Sequence, residues 1–144
     1  MGEDADRFNA LELEERVQSA VRLRNIWLAA GWGLVAAIVY LSLGPPIEAE
    51  TAHYNDKAGH LIAYFVLMLW FAQAVTRRSW AAVAAACVAL GVALEFLQGM
   101  TGYREFSLAD MLADGAGVVA AWWLACAGVN DLMLRAGRLL PARE

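Results

Sequence analysis

The sequence predicts an all-α integral membrane protein, a four-helix bundle preceded by a short amphipathic cytoplasmic helix. Three observations lead there. The 144-residue chain is 60% hydrophobic and only 18% charged, with a mean hydropathy of +0.47, more apolar than an ordinary soluble domain. Its apolar residues gather into four runs, each long enough to cross about 30 Å of hydrocarbon at about 1.5 Å per residue. The ionisable side chains within those runs sit at one common end, where the cost of burying charge makes them a site hypothesis by default.

The elements follow in chain order. Residues 1–25 form a cytoplasmic amphipathic segment, with Phe8, Leu11, Val17 and Val21 at roughly helical spacing, acids at its start and arginines at its end. That charge order complements the helix dipole, and a helix lying on the membrane surface is the simplest reading. Residues 26–129 form the transmembrane domain. Ile26 to Leu43 carries no charge, Ala58 to Val75 holds His60 and Tyr64, Ser79 to Gln98 holds Glu95, and Leu108 to Val129 holds Asp110 and Asp114 near its start. Residues 130–144 form a cytoplasmic basic tail. The acidic N-terminus lacks the pattern of a cleavable signal, so the first run is expected to be retained.

The short connections make consecutive helices antiparallel neighbours. Small residues, among them Ala84, Ala89 and Gly91 in the third run and Ala113, Gly117 and Ala121 in the fourth, favour close helix packing. Arginines precede the first span (Arg16, Arg22, Arg24), join the second to the third (Arg77, Arg78) and follow the fourth (Arg135, Arg138, Arg143). The positive-inside rule then places both termini in the cytoplasm of a multi-pass inner-membrane protein. The six tryptophans and Tyr103 read as interfacial belts or packing, and Cys87 and Cys126 as small core residues. No basic patch interleaved with aromatics supports nucleic-acid binding.

Only Lys57 and Arg104 remain as basic residues for the outer side, and both belong to the polar group. Asp56, His60 and Tyr64 are four residues apart and share a helix face, as do Glu95 with Gln98 and Asp110 with Asp114. Counted from the outer ends, His60, Glu95 and Asp114 lie about 5 to 10 Å deep. Each has a bland alternative. Ser107 followed by Asp110 looks like a capping box, Lys57 reaches headgroups as an interfacial lysine, and His60 serves as a hydrogen-bonded structural residue. Arg104 pairs with Glu105 or a helix carboxylate, or captures a phosphate or carboxylate. His53 is left without a role.

The run Asp56-Lys57-Ala58-Gly59-His60-Leu61-Ile62-Ala63-Tyr64-Phe65, with Glu95-Phe96-Leu97-Gln98, Arg104-Glu105-Phe106-Ser107 and Asp110-Met111-Leu112-Ala113-Asp114 before Gly117, resembles the VanZ-like membrane proteins over about residues 26 to 128. The resemblance implies a small four-helix membrane fold, and a family whose founding member is associated with reduced susceptibility to the lipoglycopeptide teicoplanin. The family usually has Asn where this chain has Asp114.

Three functions compete for these residues. In the first, Asp56, Lys57, His60, Tyr64, Glu95, Gln98, Arg104, Asp110 and Asp114 bind the headgroup of an anionic lipid, wall precursor or glycopeptide at the outer leaflet. In the second, His60 is general acid or base on a lipid-linked envelope substrate, oriented by Glu95 or Asp110, with His60 and Glu95 as catalytic residues. No Ser or Cys nucleophile accompanies them. In the third, the polar groups fix helix register in a structural or accessory subunit. One histidine without fixed ligand spacing is a weak metal signal, so no metal and no cofactor is expected. The lipid bilayer is the expected partner, and the oligomeric state is left open.

Overall fold

The computed structural model describes residues 2–45 and 52–129, with side chains at 7–45 and 57–129. The elements are α1 (Gly2–Leu43), α2 (Ala52–Ala74), a 3₁₀ turn (Arg77–Ser79), α3 (Trp80–Met100) and α4 (Leu108–Cys126). Four described helices are long and apolar enough to cross a membrane. The basic tail, with Arg135, Arg138 and Arg143, lies outside the described residues.

The amphipathic segment and the first span form one unbroken helix. No Gly or Pro separates Gly2 from Gly31, so nothing in the backbone chemistry divides them. At 42 residues, α1 is about 63 Å long, roughly twice the hydrocarbon thickness. Side chains 7–22 are all exposed in the described chain.

The bundle is built around α2. Its buried residues Tyr64, Leu67, Met68 and Ala72 recur every three or four positions, which makes one stripe of the helix the core face. α4 packs along that stripe through Gly117, Val118, Ala121 and Ala125. Gly117 is required by the close approach, because a Cβ there would lie 3.0 Å from the Phe65 backbone nitrogen and nearer still to the Leu61 carbonyl oxygen. α3 contributes Cys87, Gly91, Leu94, Glu95 and Gln98 from one face. The opposite faces carry large exposed apolar side chains, Ile62, Phe96, Leu112 and Trp123 among them, as lipid-facing surfaces do.

At the Arg77–Arg78 end, α1 is clasped to α2 by two indoles. Trp27 and Trp70 stack at 4.1 Å between ring centroids. Trp27 Nε1 donates to the Trp70 carbonyl at 3.0 Å and Trp70 Nε1 to the Trp27 carbonyl at 2.8 Å. α4 stops at the same end in a Schellman turn. Gly128, at φ +100°, lets the Val129 amide reach back to the Leu124 carbonyl and its own amide to Ala125. The Gln73 side chain holds the turn from α2, donating to the Val129 carbonyl at 2.8 Å.

Candidate functional site

At the other end of the bundle α2 and α4 begin, α1 and α3 finish, and the polar residues converge. α1 finishes because Gly44 is followed by Pro45 and Pro46. The last four carbonyls of a helix lack intrahelical donors unless the following chain supplies them. Here Gly44 N–H donates to the Tyr40 carbonyl at 3.0 Å. The donors that would serve Leu41 and Ser42 belong to prolines, which have no N–H. Their places are taken by side chains. Arg104 Nη2 donates to the Leu41 carbonyl at 3.4 Å and Gln98 Nε2 to Ser42 at 3.0 Å, while the Tyr103 hydroxyl donates to Leu43 at 2.6 Å. Arg104 thus meets a helix C-terminus, where a cation is favoured, and forms no ion pair among the described residues.

α4 starts with Ser107 as its cap, the Ser107 Oγ accepting from Asp110 N–H at 3.3 Å. In a complete capping box the Asp110 carboxylate would reach back to the Ser107 N–H. The structure gives that N–H to Glu95 Oε1 of α3 instead. Glu95 is 1% exposed, so this bond gives a buried carboxylate a donor, as its burial requires. It also leaves the Asp110 carboxylate for α2, with Lys57 Nζ 3.8 Å from Asp110 Oδ1. Lys57 is largely exposed and Asp110 buried. Asp110 Oδ1 is buried without a hydrogen bond.

Deeper in the bundle, His60 Nδ1 and Asp114 Oδ1 are 3.0 Å apart. Their side chains are 13% and 4% exposed. A carboxylate accepts hydrogen bonds and does not donate them, so a charged Asp114 fixes the proton on Nδ1. Asp114 is therefore a carboxylate that orients the imidazole, where sequence reasoning assigned Glu95 or Asp110. Both of those are drawn toward the start of α4 and the mouth of α2. Asp114 lies across Gly91 of α3, where a Cβ would stand 2.5 Å from its Oδ2.

Beside this pair lies a cavity of about 220 Å³ lined by Ile38, Leu41, Ser42, Gly59, His60, Ala63, Tyr64, Gln98 and Arg104. Tyr64 is 2% exposed, and its hydroxyl makes no hydrogen bond among the described residues. The Arg104 Nε is buried and has no hydrogen-bond partner among the described residues. The structure thus brings His60, Tyr64, Gln98 and Arg104 onto one cavity, sets Asp114 behind His60, and places Lys57, Asp110 and Glu95 at the α4 start. The Asp56 and His53 side chains lie outside the described residues. No three His, Cys, Asp or Glu side chains among the described residues are grouped to hold a metal ion.

Sequence reasoning missed the contribution of α1, which reaches the site through backbone carbonyls and the apolar Ile38 and Leu41. The two prolines after Gly44 were the available signal, since they announce carbonyls in need of donors. It also missed Tyr103 as a cap.

Chemically, the cavity combines hydrogen-bond donors with an apolar wall and a carboxylate-held imidazole. No curated protein and no solved structure matches the chain. A family model does, over residues 8–133, which include α1 from Phe8 onward and every side chain of the polar group: the chain belongs to the VanZ/LLP1 family.

Proposed function

We propose that this multi-pass membrane protein lies in the inner membrane with both termini in the cytoplasm, and that its outer-end cavity binds the headgroup of an anionic lipid or wall precursor. The observation that carries the reading is the cavity lining. His60, Tyr64, Gln98 and Arg104 supply polar groups to it, and Ile38, Leu41 and Ala63 supply apolar surface. That combination suits an amphiphile whose head is charged and whose tail stays in the bilayer. Lys57 at the mouth adds a second cation for the approach.

The test is native mass spectrometry of the full chain released from mild detergent. An anionic envelope lipid should remain bound at a ratio well above zwitterionic lipid, and equal retention of both would sink the reading. Family membership supports a link to lipoglycopeptide susceptibility. Cells expressing the chain should tolerate more teicoplanin than cells expressing an equally abundant His60→Gln variant.

A second reading has its own support. An imidazole oriented by a buried carboxylate, with its ring on a cavity wall, has the form of a general base. In that reading His60 takes a proton from a water or headgroup hydroxyl and Asp114 holds the ring. Incubation of the purified protein with envelope lipid extract divides the two readings: a product that the His60→Gln variant does not form supports catalysis, and an unchanged extract supports binding alone.

A further inference from the structure

Arg104 is only partly used by the protein that surrounds it. Its guanidinium is planar, and Nε and Nη2 lie on one edge as two parallel donors. Nη2 holds the Leu41 carbonyl at 3.4 Å, long for a hydrogen bond from a charged donor. Nε, the other donor of that edge, is buried with no acceptor. The edge therefore meets one carbonyl where its geometry accommodates two oxygens of a single oxyanion. Tyr64, 2% exposed, lines the same cavity, and its hydroxyl makes no hydrogen bond among the described residues. A buried donor without an acceptor is costly in an empty protein, and this one lies beside a second donor, from a different element, on the same cavity. A ligand bearing several acceptor oxygens removes that cost and gives the Tyr64 hydroxyl an acceptor.

We propose that the Nε/Nη2 edge of Arg104 and the Tyr64 hydroxyl form the receptor for the phosphate of a phospholipid-type amphiphile, the phosphate replacing the Leu41 carbonyl on Nη2. This rests on the headgroup-binding reading and names the ligand's chemistry and the atoms that hold it. Phosphate suits the lining because it is tetrahedral, giving two oxygens to the arginine edge and leaving another for Tyr64. The tail has an exit. Leu41 lines the cavity and is also 64% exposed, so at this residue the cavity borders the lipid-facing surface of the bundle, with Ile38 and Ala63 continuing the apolar wall. Gly44 N–H, Gln98 and Tyr103 keep their bonds to the Tyr40, Ser42 and Leu43 carbonyls, so α1 stays capped while Arg104 changes partner.

The test uses the full chain in a maltoside detergent, which contains no phosphate. Dioleoyl phosphatidylglycerol, dioleoylglycerol and inorganic phosphate are titrated separately and binding is read from tryptophan fluorescence and native mass spectrometry. The phospholipid should bind at least about tenfold more tightly than either fragment. Dioleoylglycerol binding as tightly overturns the phosphate assignment, and inorganic phosphate binding as tightly overturns the amphiphile. Arg104→Lys keeps the charge but removes the two-donor edge, and should weaken phospholipid binding about tenfold or more. Tyr64→Phe removes a hydroxyl that makes no hydrogen bond among the described residues, so its fold should be retained, as judged by circular dichroism and thermal unfolding, while affinity falls about tenfold. Wild-type affinity in both variants overturns the receptor assignment and leaves headgroup binding standing. A wild-type protein that binds no anionic lipid at all overturns the headgroup reading itself.

Discussion

Asp114 makes two contacts that constrain it in different ways. Its Oδ1 meets His60 Nδ1, and its other oxygen lies across Gly91, where a side chain would intrude. Removing the imidazole leaves a carboxylate that is only 4% exposed without that partner. His60→Leu should accordingly cost about 3–5 kcal/mol of unfolding free energy. Asp114→Asn keeps an acceptor oxygen for Nδ1 and should cost about 1 kcal/mol, the usual scale of a polar contact between membrane helices. Steric-trap unfolding of the two variants checks the ordering, and equal costs would show that the pair is not where the burial energy resides. Glycines divide in a similar way. Gly117→Ala drives a methyl into the Leu61 and Phe65 backbone of α2 and should cost about 1–3 kcal/mol, as overpacking does. Gly115, two residues earlier, has nothing within 4 Å of a Cβ, so Gly115→Ala should be neutral or stabilising by about 0.5–1 kcal/mol. Thermal stability of the pair in one detergent reads the difference. Gly117 stood among the small residues that the sequence offers for close packing, but which glycine of α4 meets a neighbouring backbone depends on where α2 lies.

At the level of elements, the C-terminus of α1 ties the bundle to the site. Its last four carbonyls have four different donors: Gly44 N–H, Arg104, Gln98 and the Tyr103 hydroxyl. Gln98 is 3% exposed, whereas Tyr103 is half exposed. Gln98→Leu should thus leave the Ser42 carbonyl in need of a donor and cost about 1–3 kcal/mol. Tyr103→Phe should cost less, since water can replace an exposed hydroxyl. Hydrogen exchange at the end of α1 should rise more in the first variant than in the second. That α1 would end near Leu43 was legible from Gly44-Pro45-Pro46. That α3 and the following loop would cap it was not, because the donors are more than fifty residues away in sequence and no local pattern pairs them. The start of α4 was half legible. Ser107 caps as its spacing suggested, but the return bond comes from Glu95 on a different helix, which releases Asp110 toward Lys57.

For the whole molecule, Arg77, Arg78 and most of the tryptophans lie at one end of the bundle, and His60, Glu95, Asp110 and Asp114 at the other. At the arginine end Arg77 lies 5.6 Å from the Trp80 ring centroid and 3.7 Å from Cys126 Sγ. The proposed orientation makes a direct prediction from the two cysteines, of which Cys126 is exposed and Cys87 buried. In intact cells a membrane-impermeant maleimide should not label Cys126, and permeabilisation should make it reactive. A Lys57→Cys variant lacking the native cysteines should label without permeabilisation. The reverse pattern would invert the topology and place the cavity on the cytoplasmic side.

By itself the sequence determined four membrane-crossing helices, their approximate limits, the end at which the polar groups lie and the faces they share. These follow from local chemistry: apolar run length, helical period, prolines and the positions of arginines. The tertiary structure decided the partners. It chose Asp114 for His60, the Ser107 amide for Glu95 and the α1 carbonyls for Arg104, Gln98 and Tyr103. It also joined the N-terminal segment to the first span as one helix and formed a partly open cavity beside its C-terminal end. Several carboxylates and cations at similar depth permit many pairings, and only the close approach of α2 to α4 at Gly117, with α3 beside them at Gly91, fixes which atoms come within hydrogen-bonding distance.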